Sequence, residues 1–73
     1  MELQKFIEQF AEAIEVEVEG LSGETIFRNL EGWSSLSVMI LIAFFDEEFE
    51  KEVGDSEIRN CITIKDLYNL AIA

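Results

Sequence analysis

The chain has 73 residues, room for one small domain near the lower limit at which a single hydrophobic core holds a fold without staples. Sixteen acidic residues against five basic leave a net charge of −11, which repels a phosphate backbone, excludes nucleic acid as the natural partner and favours basic protein surfaces. One cysteine excludes an internal disulfide and, with no histidine, an ordinary zinc site; a reducing compartment, the cytoplasm, fits that usage.

The N-terminal Met1-Glu2-Leu3-Gln4-Lys5 lacks the basic start and unbroken apolar stretch of a secretory signal, so no export is expected. Leu3, Phe6, Ile7, Phe10 and Ile14 then recur at helical spacing, with Gln4, Lys5, Glu8, Gln9 and Glu12 between them, and predict an amphipathic first helix. Ile14 to Glu19 alternates apolar and acidic residues with the period of a strand, but a lone strand has no partner, so an extended loop is expected. Gly20, Ser22 and Gly23 punctuate that loop, Phe27 and Leu30 offer apolar side chains to the core, and Glu31-Gly32 breaks the chain again.

Ser34 is the natural N-cap of the next helix, its hydroxyl placed to accept from the N–H of residue 36 or 37, with Ser35 as the first helical residue. In this register Trp33 and Val38 form a hydrophobic staple. The helix should run to about Glu50 or Glu52, with Gly54 ending it. Its apolar run Val38 to Phe45 is far shorter than the roughly 18 to 20 residues that cross a bilayer, so no membrane span is expected. At 100° per residue Val38, Leu41, Ile42, Phe45 and Phe49 gather on the core side. Leu36, Met39, Ile40 and Ala43 fall on the other face beside Ser35, followed by Asp46, Glu47 and Glu50: an apolar patch bordered by carboxylates, which has the character of a docking surface.

Ile58 to Cys61 has room only for a turn or short helix. A final helix is signposted by Thr63 and Asp66 as a capping box and by Ile62 and Leu67 as a staple, with Ile64, Leu67, Tyr68, Ala71 and Ile72 as its buried stripe. The fold class is therefore all-α, a small bundle of three main helices plus one short helix or turn, in a single domain over residues 1–73.

The hydroxyl of Ser35 stands at the positive end of a helix macrodipole, among unpaired N–H groups, where a phosphate ester is electrostatically welcome. A nucleophilic role does not fit: Leu36 replaces the second glycine of Gly-x-Ser-x-Gly, and the chain has no histidine to act as base. The acids from Asp46 onward do not make an EF-hand, because Lys51 occupies the place of its central glycine. Paired-carboxylate catalysis needs an enclosed cleft that so small a bundle does not offer. Cys61 and Trp33 read as packing residues.

With helix, long loop, serine at a helix start, acidic helix end and short final helices, the chain resembles the acyl carrier proteins. The similarity is ungapped from Gly32 to Leu70: Gly32-Trp33-Ser34-Ser35-Leu36 stands where the family has Gly-x-Asp-Ser-Leu, Asp46-Glu47-Glu48-Phe49 matches its acidic helix end, and Ile64-Lys65-Asp66-Leu67 its last helix. Phe27-Arg28-Asn29-Leu30 matches the loop before the attachment site. The resemblance implies a four-helix bundle with a 4′-phosphopantetheine arm joined covalently to Ser35 by a phosphopantetheinyl transferase that draws the arm from coenzyme A. It implies a carrier, not an enzyme: a monomer whose arm holds an acyl group as a thioester. Leu36, Met39, Ile40 and Ala43 would make apolar contact, and Asp46, Glu47 and Glu50 would meet basic docking patches, on acyl-activating, acyl-transferring or condensing enzymes. Ser34 stands where the family has Asp, and Ser37 and Ile40 where many fatty-acid-synthesis members carry acids. These departures imply a dedicated carrier in a specialised acyl, polyketide, lipid or aminoacyl pathway. The alternative is an unmodified carrier-like interaction domain, in which Ile40 and Phe44 would face a stable partner or a second copy.

Overall fold

The computed structural model describes residues 2–73; Met1 lies outside them. Four helices, α1 (Leu3–Ala13), α2 (Ser35–Phe49), α3 (Asp55–Arg59) and α4 (Ile64–Ile72), form an acyl-carrier-like bundle in which α1 packs on α2 and α4, and α2 also packs on α3 and α4. The stripe expected of α1 is buried at Phe6, Ile7 and Phe10, with Ala11 added and Leu3 and Ile14 half-buried. Phe6 is the hub of the core, its ring 5.6–6.3 Å from those of Phe44, Phe45, Phe49 and Tyr68.

The first helix ends without glycine. Glu15 takes the left-handed conformation at φ 56°, with Val16 N–H on the Ala11 carbonyl and Glu15 N–H on the Glu12 carbonyl, the two bonds of a Schellman motif. The Ile14–Glu19 alternation forms no strand. Further on, a 3₁₀ turn at Phe27–Asn29, absent from the sequence expectation, buries Phe27 completely. The long loop is stitched to the start of α4: Ile64 N–H donates to the Thr25 carbonyl (3.0 Å) and Lys65 N–H to the Gly23 carbonyl (2.9 Å). Asp66 N–H donates to Thr63 Oγ1, so the donors of that helix's first turn, which it cannot satisfy itself, find partners.

Thr63 and Asp66 form the expected capping box, and the Asp66 carboxylate accepts from both the Ile62 and Thr63 N–H groups. Ile64, Leu67 and Ala71 are buried and Tyr68 is half-buried, but Ile72 is 54% exposed and Ile62 equally so. Ile72 therefore falls outside the stripe.

Arg28, which the sequence does not single out, reaches the carbonyl oxygens of Ile58, Arg59 and Cys61 at the end of α3 and lies over the Phe27 ring at 5.2 Å. A cation there adds a donor to carbonyls at and just beyond the last turn of α3 and fits its macrodipole, tying a five-residue helix to the loop. Cys61 is buried as expected. Burial, then the Asp66 carboxylate, push its thiol pKa up, with Arg28 opposing and Glu57 adding.

Candidate functional site

Ser35 is the first residue of α2, as the cap chemistry predicts, with Ser34 as an extended N-cap. The turn that delivers it runs from Leu30 to Trp33, closed by Trp33 N–H on the Leu30 carbonyl at 3.1 Å. Gly32 holds its third position at φ +89°, and no atom would meet a Cβ there, so the glycine serves conformation rather than space. The next residue, Trp33, anchors the turn by packing edge-on against Phe27, ring centroids 5.1 Å apart.

Ser34 and Ser37 form a capping box, but its well-formed bond is the return one, from Ser34 N–H to Ser37 Oγ at 3.1 Å. The Ser37 N–H, which the sequence would assign to the Ser34 hydroxyl, bonds instead to the Ser34 carbonyl at 3.0 Å. Ser37 is buried while Ser34, Ser35 and Leu36 are exposed. Capping thus consumes Ser37 and leaves the Ser35 hydroxyl without a hydrogen bond among the described residues. The spacing Ser34-x-x-Ser37 is that of a capping box with serine in place of Glu or Gln, a signal present in the sequence but not used there.

Outward of Ser35 the helix shows Leu36 at 61% and Met39 at 66% exposure, with Ala43 exposed and Ile40 half-buried. Asp46, Glu47 and Glu50 are exposed further along, and Asp46 lies about 16 Å from Ser35 at 1.5 Å rise per residue. Leu41 and Phe45 are fully buried, and Val38, Ile42 and Phe49 pack half-buried against the core.

Three expectations need correction. The helix ends at Phe49, and Glu50 is not helical but its left-handed C-cap, φ 51°, with Glu50 N–H on the Asp46 carbonyl and Lys51 N–H on that of Phe45. Gly54 caps the start of α3 rather than the end of α2, its N–H donating to Glu57 Oε1 at 3.0 Å. Phe44, which the alternative reading turned toward a partner, is only 7% exposed, its ring 5.9 Å from those of both Phe6 and Phe45. The core face is wider than a single apolar stripe because α1 and α4 both press on this helix.

The site offers an exposed, unbonded primary hydroxyl at a helix N-terminus and no charged side chain on α2 from Ser34 to Phe45. A phosphodiester on Ser35 would meet the first-turn N–H groups and the helix dipole without a carboxylate from its own helix to repel it. No groups of three or more metal-ligating side chains occur among the described residues, and none of their helices is long and apolar enough to cross a membrane.

A family model described as a phosphopantetheine attachment site matches residues 4–71. Members are carrier domains rather than catalysts; they bear covalently attached 4′-phosphopantetheine and work with phosphopantetheinyl transferases and biosynthetic enzymes. By this match over nearly its whole length, and by the helical bundle that presents a serine at the start of α2, the chain belongs to the phosphopantetheine-binding, acyl-carrier-type family.

Proposed function

We propose that residues 1–73 act as one carrier domain, modified on Ser35 by a phosphopantetheinyl transferase, and that it presents an acyl or related intermediate to the enzymes of a specialised pathway in the cytoplasm. The observation that carries this reading is the Ser35 hydroxyl, exposed and without a hydrogen bond among the described residues, within the span that matches the attachment-site family. When attached, the 4′-phosphopantetheine arm supplies the terminal thiol through which cargo is held as a thioester.

The chain's own residues do the rest. Gly32 and Trp33 set the approach of the chain to α2, Ser37 holds the N-cap backbone, and the N-terminus of α2 accommodates the phosphodiester charge. Leu36, Met39, Ile40 and Ala43 form the apolar contact with partners, and Asp46, Glu47 and Glu50 meet their basic patches. Such encounters are fast, weak and sensitive to salt. The uncharged first turns of α2 favour partners whose surface around the reaction centre is apolar, which supports a dedicated pathway over a general one.

The test is to incubate the purified chain, as a monomer, with coenzyme A and phosphopantetheinyl transferases, and to measure intact mass. Addition of one arm, lost in Ser35→Ala, is expected. No addition with any transferase, including those of the source organism, overturns the proposal, and addition at Ser34 or Ser37 moves the site.

A further inference from the structure

Three aromatic rings run in a row from the core to the surface beside Ser35. Phe10 and Phe27 are fully buried, their ring centroids 6.5 Å apart, and Trp33 follows edge-on at 5.1 Å from Phe27 and is only half-buried. The outermost ring is held by the two behind it while part of it stays in water. A tryptophan carries a broad apolar plate and a single donor. Here the indole N–H has no hydrogen-bond partner among the described residues and is not closed off from solvent.

Only Ser34 separates this indole from the carrier serine, and Ser34 is extended at φ −148° and ψ 176°. Side chains two apart on an extended chain leave it on the same side, with their Cα atoms no more than about 7 Å apart. The indole and the Ser35 hydroxyl are thus neighbours on one surface, and the exposed Leu36 adjoins them. The part of a 4′-phosphopantetheine arm nearest its attachment is amphipathic: a phosphodiester, then a carbon bearing geminal methyl groups, then a hydroxyl and an amide. An indole matches that order of groups, since its plate covers the methyls and its N–H donates to a phosphate, hydroxyl or amide oxygen. A ring already immobilised against Phe27 loses little freedom in making the contact.

We propose that Trp33 is an arm-contacting residue: the exposed part of its indole receives the dimethyl-bearing portion of the arm and gives the arm a preferred direction as it leaves Ser35. This inference rests on attachment at Ser35 and adds to it a side chain that selects how the arm is presented.

The test compares the full ¹⁵N-labelled chain before and after loading from coenzyme A by a phosphopantetheinyl transferase, with loading checked by intact mass. Trp33 is the only tryptophan, so its indole N–H gives a single resonance. On loading, that resonance should shift, cross-relaxation should appear between the indole and the geminal methyls, and the methyls should move upfield from their position in free coenzyme A. Trp33→Phe, which keeps a ring against Phe27, should lessen the methyl shift, and Trp33→Leu should abolish it. Ser35→Asp brings a charge to the helix start without an arm and should move the indole resonance less than loading does. The loaded parent chain decides the contact by itself, should a variant not fold. Absence of cross-relaxation in the loaded chain, a methyl shift unchanged in both Trp33 variants, or an indole shift in Ser35→Asp as large as that on loading would each overturn the inference and leave Ser35 as the attachment site. No loading by any transferase would overturn the Ser35 reading and this one with it.

Discussion

The two faces of α2 are separated most sharply by comparing Phe45→Ala with Met39→Ala. Phe45 is fully buried, its ring 6.3 Å from that of Phe6 and 5.9 Å from those of Phe44 and Phe49, so truncation opens a cavity walled by other rings. Loss of a buried phenylalanine costs about 3–5 kcal/mol. A chain of 73 residues at roughly 0.05–0.15 kcal/mol per residue has about 4–11 kcal/mol in all. Phe45→Ala should therefore remove a large share of the stability, and a loss of about 4 kcal/mol corresponds to a melting temperature lower by about 15–30 °C.

Met39 is 66% exposed, so only about a third of its surface is withdrawn from water. Against about 1.5–3 kcal/mol for full burial of such a side chain, Met39→Ala should cost at most about 1 kcal/mol. Urea unfolding followed by Trp33 fluorescence, with circular dichroism as a second probe, measures both variants; the midpoint should move while the slope stays constant. If Ser35 and its neighbours form the docking face, Met39→Ala should also slow modification by the transferase despite its near-normal stability. Equal destabilisation by the two substitutions, or a loss below about 1 kcal/mol in Phe45→Ala, would refute the assignment of the faces.

Glu15→Gly should raise stability by about 0.5–1 kcal/mol in urea unfolding, since Glu15 sits at φ 56°, where an L-residue is penalised and glycine is not, less the extra freedom glycine has when unfolded; a loss would mean that its side chain stabilises the cap. Backbone hydrogen bonds from Thr63, then Ile62, hold the Asp66 carboxyl below the ordinary carboxylate range, so its contribution is present above about pH 3.9, the unfolded value, and is lost as pH falls through the lower folded value. The melting-temperature gap between the parent and Asp66→Asn should accordingly be widest near neutrality and shrink in that acid window; a gap that stays constant from neutral pH down through it would refute the role of the charge. With a net charge of −11, added salt should raise the melting temperature between low and moderate ionic strength, and no gain would count against self-repulsion as a destabilising force.

Periodicity and cap chemistry made much of the bundle legible in the sequence. Phe6, Ile7 and Phe10 reach the core because helical spacing puts them on one side of α1, and Thr63 with Asp66 starts α4 because their side chains satisfy its first N–H groups. The placement of Ser35 at the first position of α2 followed from the same local chemistry. What was not legible depended on partners distant in sequence. Arg28 reaches α3 some thirty residues away. Phe44 is covered because α1 brings Phe6 against it, although α2 is so apolar throughout that its periodicity alone could not decide that face. The left-handed caps at Glu15 and Glu50 also escaped notice, since neither position carries the glycine that marks such a cap.

By itself the sequence determined the four helical segments, the serine at the start of the second, the excess of acid and the family resemblance, because spacing, caps and charge act over a few residues. Tertiary structure decided which apolar side chains of α2 stay in water: Leu36 and Met39 remain exposed while Phe44 is covered. It also decided that Arg28 would reach the carbonyls of Arg59 and Cys61, some thirty residues away. Both outcomes have one physical reason. Burial is settled by what packs against a helix, and the hydrogen-bond partners of a long side chain such as Arg28 by the backbone groups that the fold brings within reach.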